Sequence, residues 1–108
     1  MDQNKEHPLH ENHRARMQAR VDRDGLESLA EHEALEYLLF LAIPRKDTNA
    51  LAHRLIQHFG NFCKVMEADP EELMRVEGIG AKSARVISTV MSFSRYYELK
   101  KRKQRVAL

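Results

Sequence analysis

The residues of this sequence best suited to do chemistry run from Gly78 to Arg85, and the chemistry they suit is the capture of an anion. Gly78 and Gly80 give the chain access to backbone angles closed to other residues and let its main chain approach a ligand closely. Ile79 between them is expected to pin the tip of the turn to a core. Helix signals resume at Ala81, and the first amides of a helix lack an intrahelical acceptor and lie at the positive end of its dipole. Lys82 supplies a cation for a phosphate, Ser83 a hydroxyl and Arg85 a second cation. Gly78, Ile79, Gly80, Lys82, Ser83 and Arg85 are therefore the candidate binding residues. The plainer alternative is a glycine-rich turn between two packed helices.

No catalytic constellation accompanies them. There is no serine or cysteine beside a base at motif spacing, no phosphate-cradling P-loop and no paired metal carboxylates. His7, His10 and His13 lie three apart, but a metal site needs a third or fourth rigid ligand and none is evident; they read as solvated. His53 and His58 flank the apolar face of a helix and read as partly buried or surface polar groups. The sequence thus points to a non-enzymatic chain with no metal or cofactor. The single cysteine, Cys63, excludes an internal disulfide and sits in the apolar Phe62-Cys63-Lys64-Val65-Met66, where it is expected to be buried and inert.

A basic tract follows the glycine turn. Residues 1–79 hold 10 Lys/Arg against 15 Asp/Glu, whereas residues 80–108 hold 8 basic residues against Glu98 alone. Such a segment is an electrostatic footprint for polyanions. The acidic run Glu67, Asp69, Glu71, Glu72 and Glu77 just before the turn argues the other way, since it would repel phosphate. The longest apolar run, Leu38 to Pro44, is too short to span a bilayer, and the start lacks the basic and apolar regions of a signal peptide. A cytoplasmic setting is expected, with no membrane partner.

The elements that must position the turn read as helices throughout, with no sustained strand alternation. His10 to about Arg23 suggests a first helix carrying Arg14, Arg16, Arg20 and Arg23, which either form a basic face or pair with Glu27, Glu31 and Glu33. Ser28 followed by Glu31 predicts a capping box for a second helix, with Leu35, Leu38, Leu39 and Ala42 as its inward stripe and Pro44 as its stop. Arg45-Lys46 then suits either the helix dipole or a phosphate. Asp47 or Thr48 caps a third helix with Leu51, Leu55, Ile56 and Phe59 inward. A fourth spans Phe62–Ala68. Asp69-Pro70-Glu71-Glu72 starts a fifth, ending at Val76. The last begins near Gly80-Ala81 and runs past Tyr97 into the basic Lys100–Arg105 run, itself either a solvated phosphate contact or a linker.

The expected fold is all-α: a compact five- to six-helix bundle with a basic C-terminal helical extension. It divides into a flexible N-terminus (1–9), a helical domain (10–99) and a basic tail or linker (100–108). Leu73 to Ala84 fits the helix-hairpin-helix pattern. Leu55–Phe62 is an imperfect upstream copy with one glycine where the full pattern has two, so the arrangement is paired (SAM/RuvA-C-like) and the first copy reads as structural.

Three stretches carry a family resemblance. Tyr37 to Asn49 with Ala52-His53-Arg54-Leu55, then Phe59-Gly60-Asn61-Phe62, then Glu71 to Gly80, resemble the N-terminal half of the bacterial RadC family, with Ile43-Pro44-Arg45-Lys46-Asp47-Thr48-Asn49 the specific part. The resemblance covers roughly residues 10–100. It implies a DNA-repair association and, in a full-length protein, a C-terminal JAB/MPN-type metallopeptidase domain as a partner. The His-x-His signature of that domain does not occur in this chain, so its peptidase chemistry does not carry over. The reading that results is a weak, sequence-independent, non-catalytic contact with DNA backbone through the Gly78-Ile79-Gly80 turn. The alternative is a docking domain for the JAB/MPN domain or a repair or replication partner.

Overall fold

Among the described residues, the apolar stripes and helix starts of the sequence assemble into six helices and one 3-10 turn. The structure is a computed structural model that describes residues 3–43 and 48–107, with side-chain surroundings over 12–43 and 48–105. The helices are α1 (Gln3–Asp24), α2 (Glu31–Ala42), α3 (Thr48–Phe59), α4 (Phe62–Glu67), α5 (Pro70–Leu73) and α6 (Ala81–Ala107), with the 3-10 turn at Leu26–Ser28. The fold is all-α, and no strand occurs among the described residues.

The core is built where the stripes meet. Leu35 and Leu39 of α2, Leu51, Ala52 and Leu55 of α3, Val65 and Met66 of α4, and Leu73 of α5 are buried together with Val76, Ile79, Ala84 and Ile87. Burial of a leucine or isoleucine of this kind stabilises by about 1.5–3 kcal/mol. Leu38, Ile56 and Phe59 pack against this cluster half-buried, as their helical phase requires.

α1 lies outside that core and is held largely by polar ties. Met17 is buried, and Arg20 donates to both carboxylate oxygens of Glu33 at 3.1 and 3.3 Å and to the Ser28 carbonyl at 2.6 Å. Arg14 donates to the Ile43 carbonyl at 3.1 Å and lies over the Phe40 ring. Of the expected pairings with α1, Glu33 thus takes Arg20, whereas Arg23 turns to its neighbour Asp24. Glu36 is 2% exposed and accepts from Asn49 at 3.1 Å, with His13 Nε2 at 2.7 Å. One buried carboxylate so joins α1, α2 and α3.

Several expectations are corrected. The cap of α2 is not Ser28 with Glu31; the helix starts later in the chain, with Ala30 as N-cap and Glu33 accepting its N–H at 2.9 Å. Ser28 instead donates to the Gly25 carbonyl. Two Glu-containing registers compete locally here, and the tie between Glu33 and Arg20 accompanies the one adopted. Cys63 is exposed, not buried. On a six-residue helix only Val65 and Met66 reach the core, leaving Cys63 and Lys64 outside. α5 ends at Leu73 rather than Val76, the chain continuing through turns. α1 starts at Gln3 rather than His10. Pro44, Arg45, Lys46 and Asp47 lie outside the described residues. No helix is long and apolar enough to cross a membrane among those described.

Candidate nucleic-acid interface

α5 starts with one of its first-turn acids engaged: Pro70 sits in that turn and Glu72 reaches back to accept the Asp69 N–H at 3.1 Å. The chain then descends through Val76, which is buried, and Ile79 N–H donates to the Val76 carbonyl at 3.0 Å. Ile79 is 5% exposed and pins the turn to the core.

The two glycines of the turn do different work. Gly78 has φ +94°, and a Cβ there would overlap the Leu51 side chain, which is itself buried and unable to yield. Gly80 is not left-handed, and a Cβ on it would meet nothing within 4 Å. The expectation that both glycines are needed for their backbone angles is therefore corrected: Gly78 is, Gly80 is not. What Gly80 does is leave the approach to α6 bare.

Gly80 caps α6 through its carbonyl, which accepts the Ala84 N–H at 3.0 Å. The N–H groups of Ala81, Lys82 and Ser83 find no acceptor among the described residues. Lys82 and Arg85 are exposed on this end, whereas Ser83 and Ala84 are buried against the core, so the Ser83 side chain turns inward. α6 also has no acid in its first turn, while α2 has Glu31 and Glu33 and α5 has Glu71 and Glu72. A lysine in place of an acid there runs against the helix dipole by about 0.3–1 kcal/mol.

Arg54, on α3, was not among the expected site residues. Its Nη1 donates to the Glu77 carbonyl at 2.9 Å and lies beside Gly78, so it braces the turn from the neighbouring helix and brings a further exposed cation to it. Nothing in the local sequence marks it, because its partner is 23 residues away.

The upstream turn at Gly60-Asn61 has a different fate. Gly60 has φ +106°, and its N–H closes α3 by donating to the Ile56 carbonyl at 2.7 Å. Asn61 caps α4, its side chain accepting the Lys64 N–H at 2.8 Å. The Phe62 N–H donates to the Glu31 carboxylate at 2.7 Å. The start of α4 is thus occupied by the protein's own acceptors.

Among the described residues no three His, Cys, Asp or Glu side chains are grouped to hold a metal. His13 lies against Glu36, and His53 stacks on His32 with ring centroids 4.4 Å apart. His7 and His10 lie outside the residues whose side chains are described.

No family model matches the chain, and no solved structure matches it. It is similar to a UPF0758 protein of Ruegeria pomeroyi, 41% identical over 68 residues, which is 63% of this chain and 30% of that one. It is 45% identical over 56 residues to a UPF0758 protein of Rhodobacter capsulatus, 52% of this chain and 26% of the relative. It is 37% identical over 71 residues to one of Fusobacterium nucleatum, 66% of this chain and 31% of the relative. The matched part spans about a third or less of each of these relatives, and the chain's likeness is to UPF0758 proteins over that part.

Proposed function

We propose that this chain is a non-catalytic module that grips nucleic-acid backbone at the start of α6, as a helix-hairpin-helix element of a RadC-like, DNA-repair-associated protein. One observation carries the reading: the first amides of α6 have no acceptor among the described residues, beside exposed Lys82 and Arg85, in a helix with no acid of its own at that end. A phosphate oxygen satisfies all three features at once. The UPF0758 relatives support the family relationship, and a JAB/MPN domain would then be the chain's covalent partner in a longer protein. Gly78, Ile79 and Arg54 shape and brace the turn, Gly80 leaves room for the backbone, and Lys82 and Arg85 make the charge contacts. Ser83 contributes its amide rather than its buried hydroxyl.

Contacts of this kind fix position without reading sequence, and their strength falls with salt. The test is fluorescence anisotropy with single-stranded, duplex and branched DNA over a salt series. Lys82→Ala and Arg85→Ala are expected to weaken binding several-fold each and to lower the salt slope by about one for each phosphate no longer neutralised. Neutralising Lys100, Lys101, Arg102 and Lys103 to Gln should weaken binding less. If the tail variant abolishes binding while Lys82→Ala and Arg85→Ala leave it unchanged, the turn is not the site.

A further inference from the structure

One flank of α6 reads neither as core nor as ordinary surface. Ala81, Arg85, Ser88 and Ser92 follow at helical spacing and so form a single stripe along the helix. The neighbouring stripe, with Ala84 and Ile87, is buried in the core. The flank itself is built of small side chains, one guanidinium and two hydroxyls. It therefore leaves a groove of about 360 Å³ between α6 and the end of α5, where Pro70 and Met74 form the opposite wall. Sites for small organic ligands begin at about 300 Å³. The two hydroxyls differ in their use. Ser92 donates to the Ser88 carbonyl at 3.2 Å, whereas the Ser88 Oγ is buried and has no hydrogen-bond partner among the described residues. A buried hydroxyl left unpaired is costly, and it is able to donate or accept.

We infer that this groove takes one unpaired base of a single strand whose phosphate is held at the start of α6, an inference that rests on the phosphate grip proposed above. Three observations select that occupant. Arg85 is the one charged residue lining the groove, and no Asp or Glu lines it, so the occupant is anionic at that point. Met74, 42% exposed, offers a flexible apolar wall that suits a flat ring. Ala81 and Arg85 belong both to the groove and to the helix start, so the groove opens directly onto the bare amides. A small inorganic anion would use Arg85 and leave the Met74 wall uncovered; a nucleotide uses both. Its ring lies against Met74 and Pro70, and the Ser88 hydroxyl, turned about its Cα–Cβ bond, pairs with the edge of the base. At 1.5 Å per residue, Ser88 and Ser92 lie about 5 and 10 Å along the helix from Arg85, within reach of a base from its own phosphate. A base inside a duplex is stacked and paired, so the groove favours single strands over uninterrupted duplex.

The experiment compares two labelled strands of about ten nucleotides by anisotropy with the whole chain: oligothymidine, and the same backbone with every base removed. Oligothymidine is expected to bind at least about fivefold more tightly. Lys82→Ala should weaken both strands and keep their ratio. Met74→Ala should bring the two affinities together, and Ser88→Ala should narrow the gap, with far-UV circular dichroism confirming that the helices persist. In NMR, the Met74 methyl signal, assigned by its loss in Met74→Ala, should move upfield with oligothymidine, because a base ring shields a methyl lying over its face. Inorganic phosphate, the abasic strand and a blunt duplex should leave that signal in place. Lys82-dependent binding that is equal for the two strands, a gap that survives Met74→Ala, or a Met74 methyl that does not move overturns the base site and leaves the phosphate grip standing. Binding of neither strand overturns both. A methyl that moves as far with thymidine monophosphate at the strand's own concentration assigns the groove to a free nucleotide, and one that moves as far with the duplex removes the need for an unpaired base; either result overturns the single strand as occupant.

Discussion

Two turns in this molecule deliver the chain into the start of a helix, and they treat the exposed amides there in opposite ways. At Gly60-Asn61 the protein supplies its own acceptors, the Asn61 side chain for Lys64 and the Glu31 carboxylate for Phe62. At Gly78–Gly80 the Gly80 carbonyl starts the helix, the next three amides have no acceptor among the described residues, and the nearest charged side chain on the helix is a lysine. The same local geometry, a left-handed glycine followed by a helix, becomes a structural joint when an internal anion is in place and a candidate anion site when none is. The lesson is that glycine spacing identifies the turn, but the occupancy of the helix start decides its use.

The largest effect expected from challenging this contrast is at the glycines. Gly78→Ala combines a strained φ with overlap on buried Leu51 and should cost about 3 kcal/mol. Gly60→Ala meets only the Lys64 Cδ at 4.0 Å and should cost about 1 kcal/mol, while Gly80→Ala should fall within about 0.5 kcal/mol. Urea unfolding ranks the three; equal costs at positions 78 and 60 would remove Leu51 from the explanation. Next, Glu31→Ala takes the acceptor from Phe62 and should cost about 1–2 kcal/mol. It also opens the start of α4 beside Lys64, so DNA affinity at low salt should rise, and a fall would sink the idea that Glu31 fills an anion site.

Smaller still, Arg54→Ala removes the brace on the Glu77 carbonyl and should cost about 1 kcal/mol in thermal unfolding, with a loss of DNA affinity beyond that of one exposed cation if the turn loosens. The smallest effect is with acid. The Ala30 amide, joined by Arg20, holds the Glu33 carboxyl below its ordinary value of 4.5. A depressed carboxylate stabilises the fold above its unfolded value, and that contribution is lost as pH falls through the lower folded value. Proton uptake by Glu33, followed by NMR, should therefore lag behind that of an unperturbed glutamate and accompany weakening at the start of α2. The start of α6 has no acid in its first turn to titrate and should not respond in the same range.

What was legible in the sequence was whatever is encoded within a turn or two of the chain. The stripe at Leu51, Leu55, Ile56 and Phe59, the Asp69-Pro70-Glu71-Glu72 start and the Ile79 anchor all depend on neighbours three or four residues away. The contacts that distinguish the two turns were not legible, because they join distant segments: Glu31 to Phe62, Arg54 to Glu77, Asn49 and His13 to Glu36. Local rules also fail where two registers satisfy them, as at Ser28 and Ala30. A six-residue helix likewise offers too few positions to predict that Cys63 faces outward.

The bare amides at the start of α6 also make the molecule its own sensor. A backbone proton held by an acceptor exchanges with deuterium only when that bond opens, whereas an unheld surface proton exchanges at close to the rate of a free chain. Ala81 and Lys82 should therefore lose their protons early, while Phe62 and Lys64, held by Glu31 and Asn61, retain theirs. A ligand seated on α6 would slow the first pair and leave the second unchanged, reporting its arrival atom by atom in the unmodified protein.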